Sequence, residues 1–227
     1  MIAHRGLSGV ERENTNAAFI AAGNRSYYGI ETDLHVTKDG HFVLIHDETT
    51  GRVSDKNINV ERSRINKIKK IVLKSKSGKT ERSDLRIPLL SEYIAICKTY
   101  GKVCVLELKG SLSMKDSESV VRIIRDMNYL KSVIFISFNE KNLLNLRKII
   151  PECAAQLLTA GYDRRIFDFL TENRISLDIH YKALTKEIVD EIHGAGLEVN
   201  CWTIDDPAEA ERLVSFGVDY ITTNILE

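Results

Sequence analysis

Short apolar runs rich in valine, isoleucine and leucine alternate along this chain with longer segments whose apolar residues recur at helical spacing. The runs predict nine strands, which are, in chain order, Met1–His4, Gly29–Val36, His41–His46, Val103–Lys109, Val133–Phe138, Ala154–Leu158, Ile175–His180, Glu198–Thr203 and Tyr220–Thr223. The periodic segments predict seven helices, which are Asn16–Arg25, Leu90–Tyr100, Asp116–Tyr129, Lys141–Ile149, Arg164–Glu172, Thr185–Gly194 and Pro207–Phe216. Strands that alternate with helices in this way indicate βα units and a parallel sheet.

One pair of predicted strands is separated only by Thr37–Gly40, whose Thr-Lys-Asp-Gly sequence is typical of a tight hairpin turn. A hairpin makes its two strands antiparallel, so His41–His46 cannot be a regular strand of a parallel barrel. The other eight strands and seven helices predict a (β/α)8 TIM barrel whose last helix is missing. An open doubly wound sheet is the alternative, but it favours a glycine-rich loop after the first strand, and none is present there.

The segment from about residue 47 to 87 interrupts the alternation of strands and helices. It contains one predicted helix, Asn59–Leu73, and a polar tail, Lys74–Lys79, which we expect to form a loop. We therefore predict a single domain over residues 1–227, with a small insertion at about 47–87 that follows the hairpin of strand 2. From Arg52 to Arg86 there are twelve basic and four acidic residues. We interpret this charge run as a solvated face rather than as a site for an anionic substrate.

Composition removes several classes of function. The chain has 227 residues, of which 43% are hydrophobic and 28% charged, and its 32 basic and 32 acidic residues produce no overall field that would recruit nucleic acid or an anionic membrane. Its four cysteines form no CxxC pair and are expected to be reduced. No apolar run approaches the roughly 18 residues that span a bilayer. We expect a cytoplasmic protein, or a secreted or periplasmic one if an N-terminal signal has been removed.

Charged side chains stand near the ends of three predicted strands, where a barrel carries its catalytic groups. They are His4 with Arg5, Glu31 with Asp33, and Glu107 with Lys109. Charges in apolar strands are costly unless they are paired or bind a metal. The three carboxylates, with no cysteine among them, predict a hard oxygen site for one divalent cation, Mg²⁺ or Ca²⁺, rather than for zinc.

The hairpin brings another histidine to the same candidate site. If Thr37–Gly40 forms the turn, Val36 pairs with His41, and the register places His46 opposite Glu31. Because alternate residues of a strand share a face, the His46 side chain is then expected on the side of the carboxylates.

The remaining histidines carry weaker signals. His35 and His41 flank the hairpin turn and are expected at the surface, and His193 lies in a predicted helix and is expected in solvent. His180 ends a strand and could therefore face the site, although no motif includes it.

Short motifs follow one another in a recognisable order along the chain. They are His4-Arg5-Gly6, Glu13-Asn14-Thr15, Glu31-Thr32-Asp33, Thr37-Lys38-Asp39-Gly40, His46-Asp47, Thr49-Thr50-Gly51, Ile87-Pro88-Leu89-Leu90-Ser91-Glu92, Leu106-Glu107-Leu108-Lys109, Trp202-Thr203, and Gly217-Val218-Asp219 with Ile221-Thr222-Thr223. The first motif alone is weak, but the ordered set spans the chain and resembles the glycerophosphodiester phosphodiesterase family. Two positions depart from that family, since Arg12 replaces a usual proline and Asn224 a more typical aspartate.

The resemblance implies a metal-dependent hydrolase on a (β/α)8 barrel, which splits glycerophosphodiesters into an alcohol and glycerol 3-phosphate and so serves lipid and glycerol metabolism. It implies that His4 and His46 act as general acid and base, and that the three carboxylates bind the divalent metal. Arg5 matches a phosphate-contacting residue, and Lys109 matches another cation that contacts substrate. Trp202 ends a strand, where we prefer an apolar wall against the glycerol moiety to a core role.

Two other functions stay open on the sequence alone. A phospholipase C- or D-like hydrolase of lysophospholipids or inositol phospholipids would need an apolar rim for acyl chains, whereas Arg52–Arg86 is polar. An inactive binding protein on the same fold would be expected to lack a histidine or a metal carboxylate, and none is missing. We therefore expect a small-molecule phosphodiester as the partner. The barrel wall left uncovered by the missing helix is compatible with a homo-oligomer.

Overall fold

Eight strands of the computed structural model, which describes residues 1–227, close into a parallel barrel. The strands are β1 (Ile2–Ala3), β2 (Gly29–Val36), β3 (Phe42–Leu44), β4 (Val103–Leu108), β5 (Val133–Ser137), β6 (Ala154–Thr159), β7 (Ser176–His180), β8 (Val199–Trp202) and β9 (Tyr220–Thr223). They follow the order β1-β9-β8-β7-β6-β5-β4-β2, and pairing of β1 with β2 completes the ring. The short strand β3 lies outside the ring, antiparallel to β2.

Seven helices surround the barrel, and one short helix lies in the insertion. The helices are α1 (Asn16–Gly23), α2 (Ile65–Ile68), α3 (Leu90–Tyr100), α4 (Met114–Asp126), α5 (Glu140–Ile149), α6 (Arg164–Asn173), α7 (Lys186–Gly194) and α8 (Pro207–Phe216). No helix follows β9, so the predicted TIM barrel without its last helix is confirmed. None of the helices combines the length and the apolar character that crossing a bilayer requires.

The ends of α8 show how local sequence sets these boundaries. Pro207 occupies the first turn, where its missing N–H is no loss, and the Asp206 side chain accepts a hydrogen bond from the backbone N–H of Glu209. The helix ends at Gly217, which has a φ of 90° that disfavours residues with a side chain.

Alternation of side chains along the strands divides the barrel into an inner and an outer layer. On β4, Cys104, Leu106 and Leu108 belong to a cluster of 23 buried residues that packs the strands against helices. Val105 instead belongs to a small apolar cluster inside the barrel. Because successive residues point to opposite faces, Glu107 shares the inner face with Val105, and this places a carboxylate inside the barrel.

The register predicted for the hairpin is wrong by one residue. Val36 pairs with Phe42 rather than with His41. The turn holds one residue more than expected, because the Thr37 N–H donates to the His41 carbonyl at 2.8 Å and Gly40 adopts a φ of 77°. This arrangement is typical of hairpin loops that close with a bulged left-handed residue.

The corrected register also changes the expected position of His46. If the observed register continued past Leu44, where β3 ends, His46 would lie opposite Thr32 and on the other face from Glu31. His46 nevertheless borders the same cavity as Glu31. Because residues after Leu44 are no longer strand, the direction of the His46 side chain is set by the loop and not by strand alternation.

The insertion has less helix than expected, and the predicted helix Asn59–Leu73 is wrong. Only Ile65–Ile68 is helical. The apolar residues of this segment instead converge on a separate cluster of ten buried side chains, which are Val43, Ile45, Val53, Val60, Ile65, Ile68, Ile71, Leu73, Leu85 and Ile87. Arg64 provides no side-chain cap for α2, and the Asp39 carboxylate of the hairpin turn accepts from the Ile65 N–H at 3.0 Å. Tertiary packing therefore decides this segment's structure.

The tail of the insertion contacts the loop between β1 and α1. The Arg12 guanidinium donates to the carbonyls of Lys74 and Ser75. The Lys76 ammonium donates to the Ser8 carbonyl at 2.7 Å. These contacts hold the insertion beside the end of the barrel at which β1 and β2 finish.

Shortening a side chain in the insertion cluster should destabilise the protein. Ile68 is fully buried, so we expect Ile68→Ala to lower the free energy of unfolding by about 2–5 kcal/mol through lost burial and an unfilled cavity. The control is Val214→Ala on α8, whose side chain is 60% exposed and should change stability by less than about 0.5 kcal/mol. Urea denaturation measures both variants. Equal effects would show that the cluster does not stabilise the fold.

Candidate active site

Three carboxylates meet inside one end of the barrel. Glu31 and Asp33 lie on β2, Glu107 lies on β4, and the parallel register pairs Asp33 with Glu107. One oxygen atom from each lies within 4.8 Å of the other two, and the three residues are only 4%, 1% and 7% exposed. The structure therefore brings together the three residues predicted as metal ligands.

Asp33 is the most heavily compensated of the three. Its carboxylate accepts a hydrogen bond from the Asn14 side chain at 2.7 Å, and it lies 3.5 Å from Arg5 Nε and 3.4 Å from Lys109 Nζ. Burial opposes ionisation, but Arg5 and Lys109 outweigh it and hold the pKa of Asp33 below its ordinary value. Asp33 is thus an ionised carboxylate.

The other two carboxylates are not fully neutralised by the protein. Burial and the negative charge of Asp33 raise the pKa of Glu107 to about 8, although Lys109 Nζ lies 2.9 Å from Glu107. Burial, again with the charge of Asp33, raises the pKa of Glu31 well above its ordinary value. The Arg5 backbone N–H donates to Glu31 at 2.7 Å. Three carboxylates against two cations leave an excess of negative charge, which a proton or a bound cation can offset.

His4 is held in one tautomer by a chain of hydrogen bonds. The Asn224 amide group donates to the Asp205 carboxylate at 2.6 Å, so the Asn224 carbonyl oxygen faces His4 Nδ1 at 2.8 Å. That nitrogen must therefore carry the proton, which leaves Nε2 as an acceptor. Burial and the neighbouring Arg5 lower the pKa of His4 to about 4.

His46 has a different partner. Its Nδ1 lies 2.6 Å from the Asp47 carboxylate, which can only accept, so Nε2 is again left free. Burial lowers the pKa of His46, while the charge of Asp33 and the hydrogen bond to Asp47 oppose that shift. The His46 backbone carbonyl accepts from His35 Nε2 at 3.2 Å.

The expectation that His35 lies at the surface is wrong. His35 is 2% exposed, and its Nδ1 contacts Glu61 of the insertion at 2.9 Å. The insertion covers this position, which turns a residue beside a hairpin turn into a buried support for His46. His41 is half exposed, as expected.

An ion-pair network joins the two histidine loops. Arg52 of the insertion contacts the Asp47 carboxylate at 2.6 Å and the Glu13 carboxylate at 2.8 Å. Glu13 in turn contacts Arg5 at 2.9 Å. Arg5 has a φ of 54°, in the sparsely populated left-handed region that is often found at functional sites. The loop after β1 and the loop after β3 are therefore linked through one guanidinium.

The candidate groups border a cavity of about 220 Å³ at the end of the barrel. It is lined by His4, Arg5, Glu31, His46, Glu107, Ile136, Phe138, Leu158, Asp178, Trp202 and Thr222. Trp202 forms one wall, with its ring centroid 5.7 Å from that of Phe138 and 5.1 Å from that of His180. Lys109 lines an adjoining groove with Asn139 and Lys141. All predicted site residues thus lie in one region, and His180 reaches it only behind Trp202.

Several residues of this region were not predicted from the sequence. Asp47 and Asn224 hold the histidines. The sequence offered Asp47 only as part of the His46-Asp47 motif, and Asn224, which follows β9, only as a departure from the family. Asp178 stands between two apolar residues of β7, which is the same signal that identified Glu107.

Comparison with known proteins gives a consistent result. The sequence profile of the glycerophosphoryl diester phosphodiesterase family matches residues 4–227. The glycerophosphodiester phosphodiesterase of Caldanaerobacter subterraneus subsp. tengcongensis is 32% identical over 227 residues, covering 99% of this chain and 93% of the relative. An Oleispira antarctica phosphodiesterase, solved with the product sn-glycerol-3-phosphate, superposes with a TM-score of 0.86 at 27% identity, covering 98% of this chain and 92% of its own. A Silicibacter pomeroyi structure at 22% identity shares the fold, with a TM-score of 0.89.

Exchanging the amide of Asn224 and the carboxylate of Asp205 should change the pKa of His4. In the double variant Asp205→Asn/Asn224→Asp, a carboxylate would face His4 and stabilise the imidazolium form. We expect the pKa of His4 to rise by about 1 to 3. As the pH falls, the His4 ring should therefore become protonated at a higher pH than in the unaltered protein. NMR titration of the histidine ring protons measures this change. The single variant Asp205→Asn is the control, and an unchanged His4 pKa in the double variant would contradict the assigned hydrogen bond.

Proposed function

Because this chain belongs to the glycerophosphoryl diester phosphodiesterase family, we propose that it hydrolyses glycerophosphodiesters to an alcohol and glycerol 3-phosphate. We propose that the reaction takes place in a single domain formed by residues 1–227, with one divalent cation and two histidines. The observation that carries the proposal is a cavity lined by two imidazoles and Arg5, beside a cluster of three buried carboxylates that Arg5 and Lys109 contact.

The three carboxylates suit a hard divalent cation. Oxygen ligands without sulfur favour Mg²⁺ or Ca²⁺ over zinc. Burial and the charge of Asp33 raise the pKa values of Glu31 and Glu107, and a bound cation would stabilise their ionised forms and displace their protons. Glu31, Asp33 and Glu107 would hold it. When bound, such a cation offsets the charge that develops on phosphoryl oxygens.

Two cationic side chains are placed to bind the phosphate. The Arg5 side chain borders the cavity, and Lys109 borders the adjoining groove, while Glu107 lines both. A guanidinium contacts phosphate through paired N–H groups, and an ammonium acts as a point charge. Both can therefore orient the diester and stabilise negative charge in the transition state.

The histidines differ in a way that suggests a division of roles. Burial and Arg5 lower the pKa of His4 to about 4, and its Nε2 is unprotonated. His4 is therefore suited to accept a proton from the hydroxyl group that attacks the phosphorus atom. His46 is paired with the Asp47 carboxylate, which opposes the lowering of its pKa by burial, so of the two imidazoles His46 is better suited to deliver a proton to the departing alkoxide. Both free Nε2 atoms belong to residues that line the cavity.

The cavity also has apolar lining residues. Trp202 and Phe138 meet edge to face, and Ile136 and Leu158 line the same cavity. Such a lining suits the carbon skeleton of a three-carbon alcohol. A phospholipase-like function would need more apolar surface at the mouth, but the adjoining groove carries Lys109 and other polar groups.

Chelation should abolish the activity. With glycerophosphocholine as substrate, we expect EDTA to reduce the release of glycerol 3-phosphate by about 100-fold or more, because the cation contributes several kcal/mol of charge stabilisation. Added Mg²⁺ or Ca²⁺ should restore it. Glu31→Gln should reproduce the loss, whereas Glu118→Gln at an exposed position of α4 should not. Undiminished release in EDTA would overturn the metal assignment.

Removing one of the paired histidines should also reduce the rate. We expect His46→Ala to lower kcat by about 10²- to 10⁴-fold, which is the contribution typical of a positioned acid or base. His41→Ala is a matched control, because this histidine lies on the same hairpin and is half exposed. If both variants retained full activity, catalysis by His46 would be excluded.

A further inference from the structure

One buried carboxyl group in the cavity has no role in the chemistry described above. Asp178 lies on β7 and is 1% exposed, and its Oδ1 accepts no hydrogen bond. It nevertheless lines the cavity that contains His4 and Glu107. Its neighbours Leu177 and Ile179 belong to the apolar cluster between strands and helices, so alternation directs Asp178 into the barrel.

Asn200 lies beside Asp178 in the register of β7 and β8 and opposes the rise that burial causes in the pKa of Asp178, but Asp178 Oδ1 stays without a partner. Asn200 on β8 donates to Gln156 at 3.3 Å and accepts from Thr222 at 3.3 Å. Buried polar atoms in folded proteins are nearly always hydrogen-bonded, and an unpaired one costs free energy. Because Asp178 lines the cavity, a ligand there can donate a hydrogen bond to its carboxyl group.

The surroundings of Asp178 limit what that ligand group can be. A phosphate is disfavoured beside Asp178, because no cationic side chain forms an ion pair with this carboxyl group, whereas Arg5, proposed above to bind phosphate, lies by Asp33. Ile136 and Leu158 line the same space, so the group must be carried on carbon. A hydroxyl fits both conditions, because it can donate to either form of a carboxyl group and its carbon can contact apolar side chains. Burial and the charge of Glu107 raise the pKa of Asp178 well above its ordinary value, which is consistent with a neutral partner.

We propose that Asp178 hydrogen-bonds a hydroxyl of the substrate's glycerol half and thereby selects glycerol esters over esters of alcohols that lack this group. The proposal rests on the function proposed above, because that function places a glycerol moiety in the cavity. Asp178 is therefore a specificity-determining residue. Trp202 depends on the same strand, since its indole N–H donates to the Asp178 backbone carbonyl at 3.3 Å.

The test compares two ligands with equal carbon skeletons, sn-glycerol 3-phosphate and n-propyl phosphate, by isothermal calorimetry. The original protein should bind the glycerol ester at least about 10-fold more tightly. In Asp178→Ala and Asp178→Leu, affinity for sn-glycerol 3-phosphate should fall by about 10- to 100-fold, whereas affinity for propyl phosphate should change by less than about 3-fold. Asp178→Asn keeps a polar group that can bond a hydroxyl and should stay within about 5-fold of the original protein.

Gln156→Leu is the matched control. Gln156 is 1% exposed in the same polar layer and has an unpaired Nε2, but it does not line the cavity. This variant should keep the ratio of the two affinities. Circular dichroism shows which of the two apolar Asp178 variants remains folded. If neither does, Asp178→Asn decides the test: the proposal expects this variant to keep the preference for sn-glycerol 3-phosphate over propyl phosphate. Complete loss of that preference would oppose the proposal.

Two results would overturn the proposal: equal weakening of both ligands in the folded Asp178 variants, or no weakening of either. Hydrolysis of glycerophosphocholine by the original protein is measured separately. If that reaction were absent while the preference for sn-glycerol 3-phosphate depended on Asp178, the proposed function would fail and the binding inference would stand.

Discussion

The structure of this site depends on a single electrostatic constraint, which is the burial of three carboxylates close together inside the barrel. The buried charge of Asp33 is compensated by Arg5 and Lys109, whose Nε and Nζ atoms lie 3.5 Å and 3.4 Å from its carboxylate oxygens. Glu31 and Glu107 are left with raised pKa values because the available cations are already shared. Burying charge without full compensation costs stability. The arrangement is therefore understandable as a site shaped for a cation and an anionic substrate, which together complete the balance of charge.

This constraint also explains why the loops around the barrel end are tied to one another. Arg5 can serve the carboxylates only if the loop after β1 is held in place, and Glu13 and Arg52 hold it through ion pairs. Arg52 simultaneously contacts Asp47, which orients His46. The insertion thus contributes to the site, because it supplies the guanidinium that connects the loops carrying His4 and His46.

The parts of the fold that followed from the sequence are those governed by local pattern. Apolar runs and periodic segments predicted the strands and the barrel, and the cost of burying charge identified Glu107 and its partners. The parts that failed depend on tertiary contacts. The hairpin register shifted because Gly40 adopts a left-handed conformation and adds a residue to the turn. His35 is buried because the insertion covers it, and the helix expected over Asn59–Leu73 gave way to packing of its apolar residues into a cluster.

The two histidines show why residue identity alone could not assign their roles. Both imidazoles present a free Nε2, yet the group behind His4 is an amide and the group behind His46 is a carboxylate. A neutral amide oxygen stabilises the charged form of an imidazole less than a carboxylate does. The Asn224 amide itself points towards His4 only because Asp205 binds its other end. The chemical difference between the two histidines therefore depends on their surroundings: burial and Arg5 lower the pKa of His4, whereas Asp33 and Asp47 oppose the lowering by burial at His46.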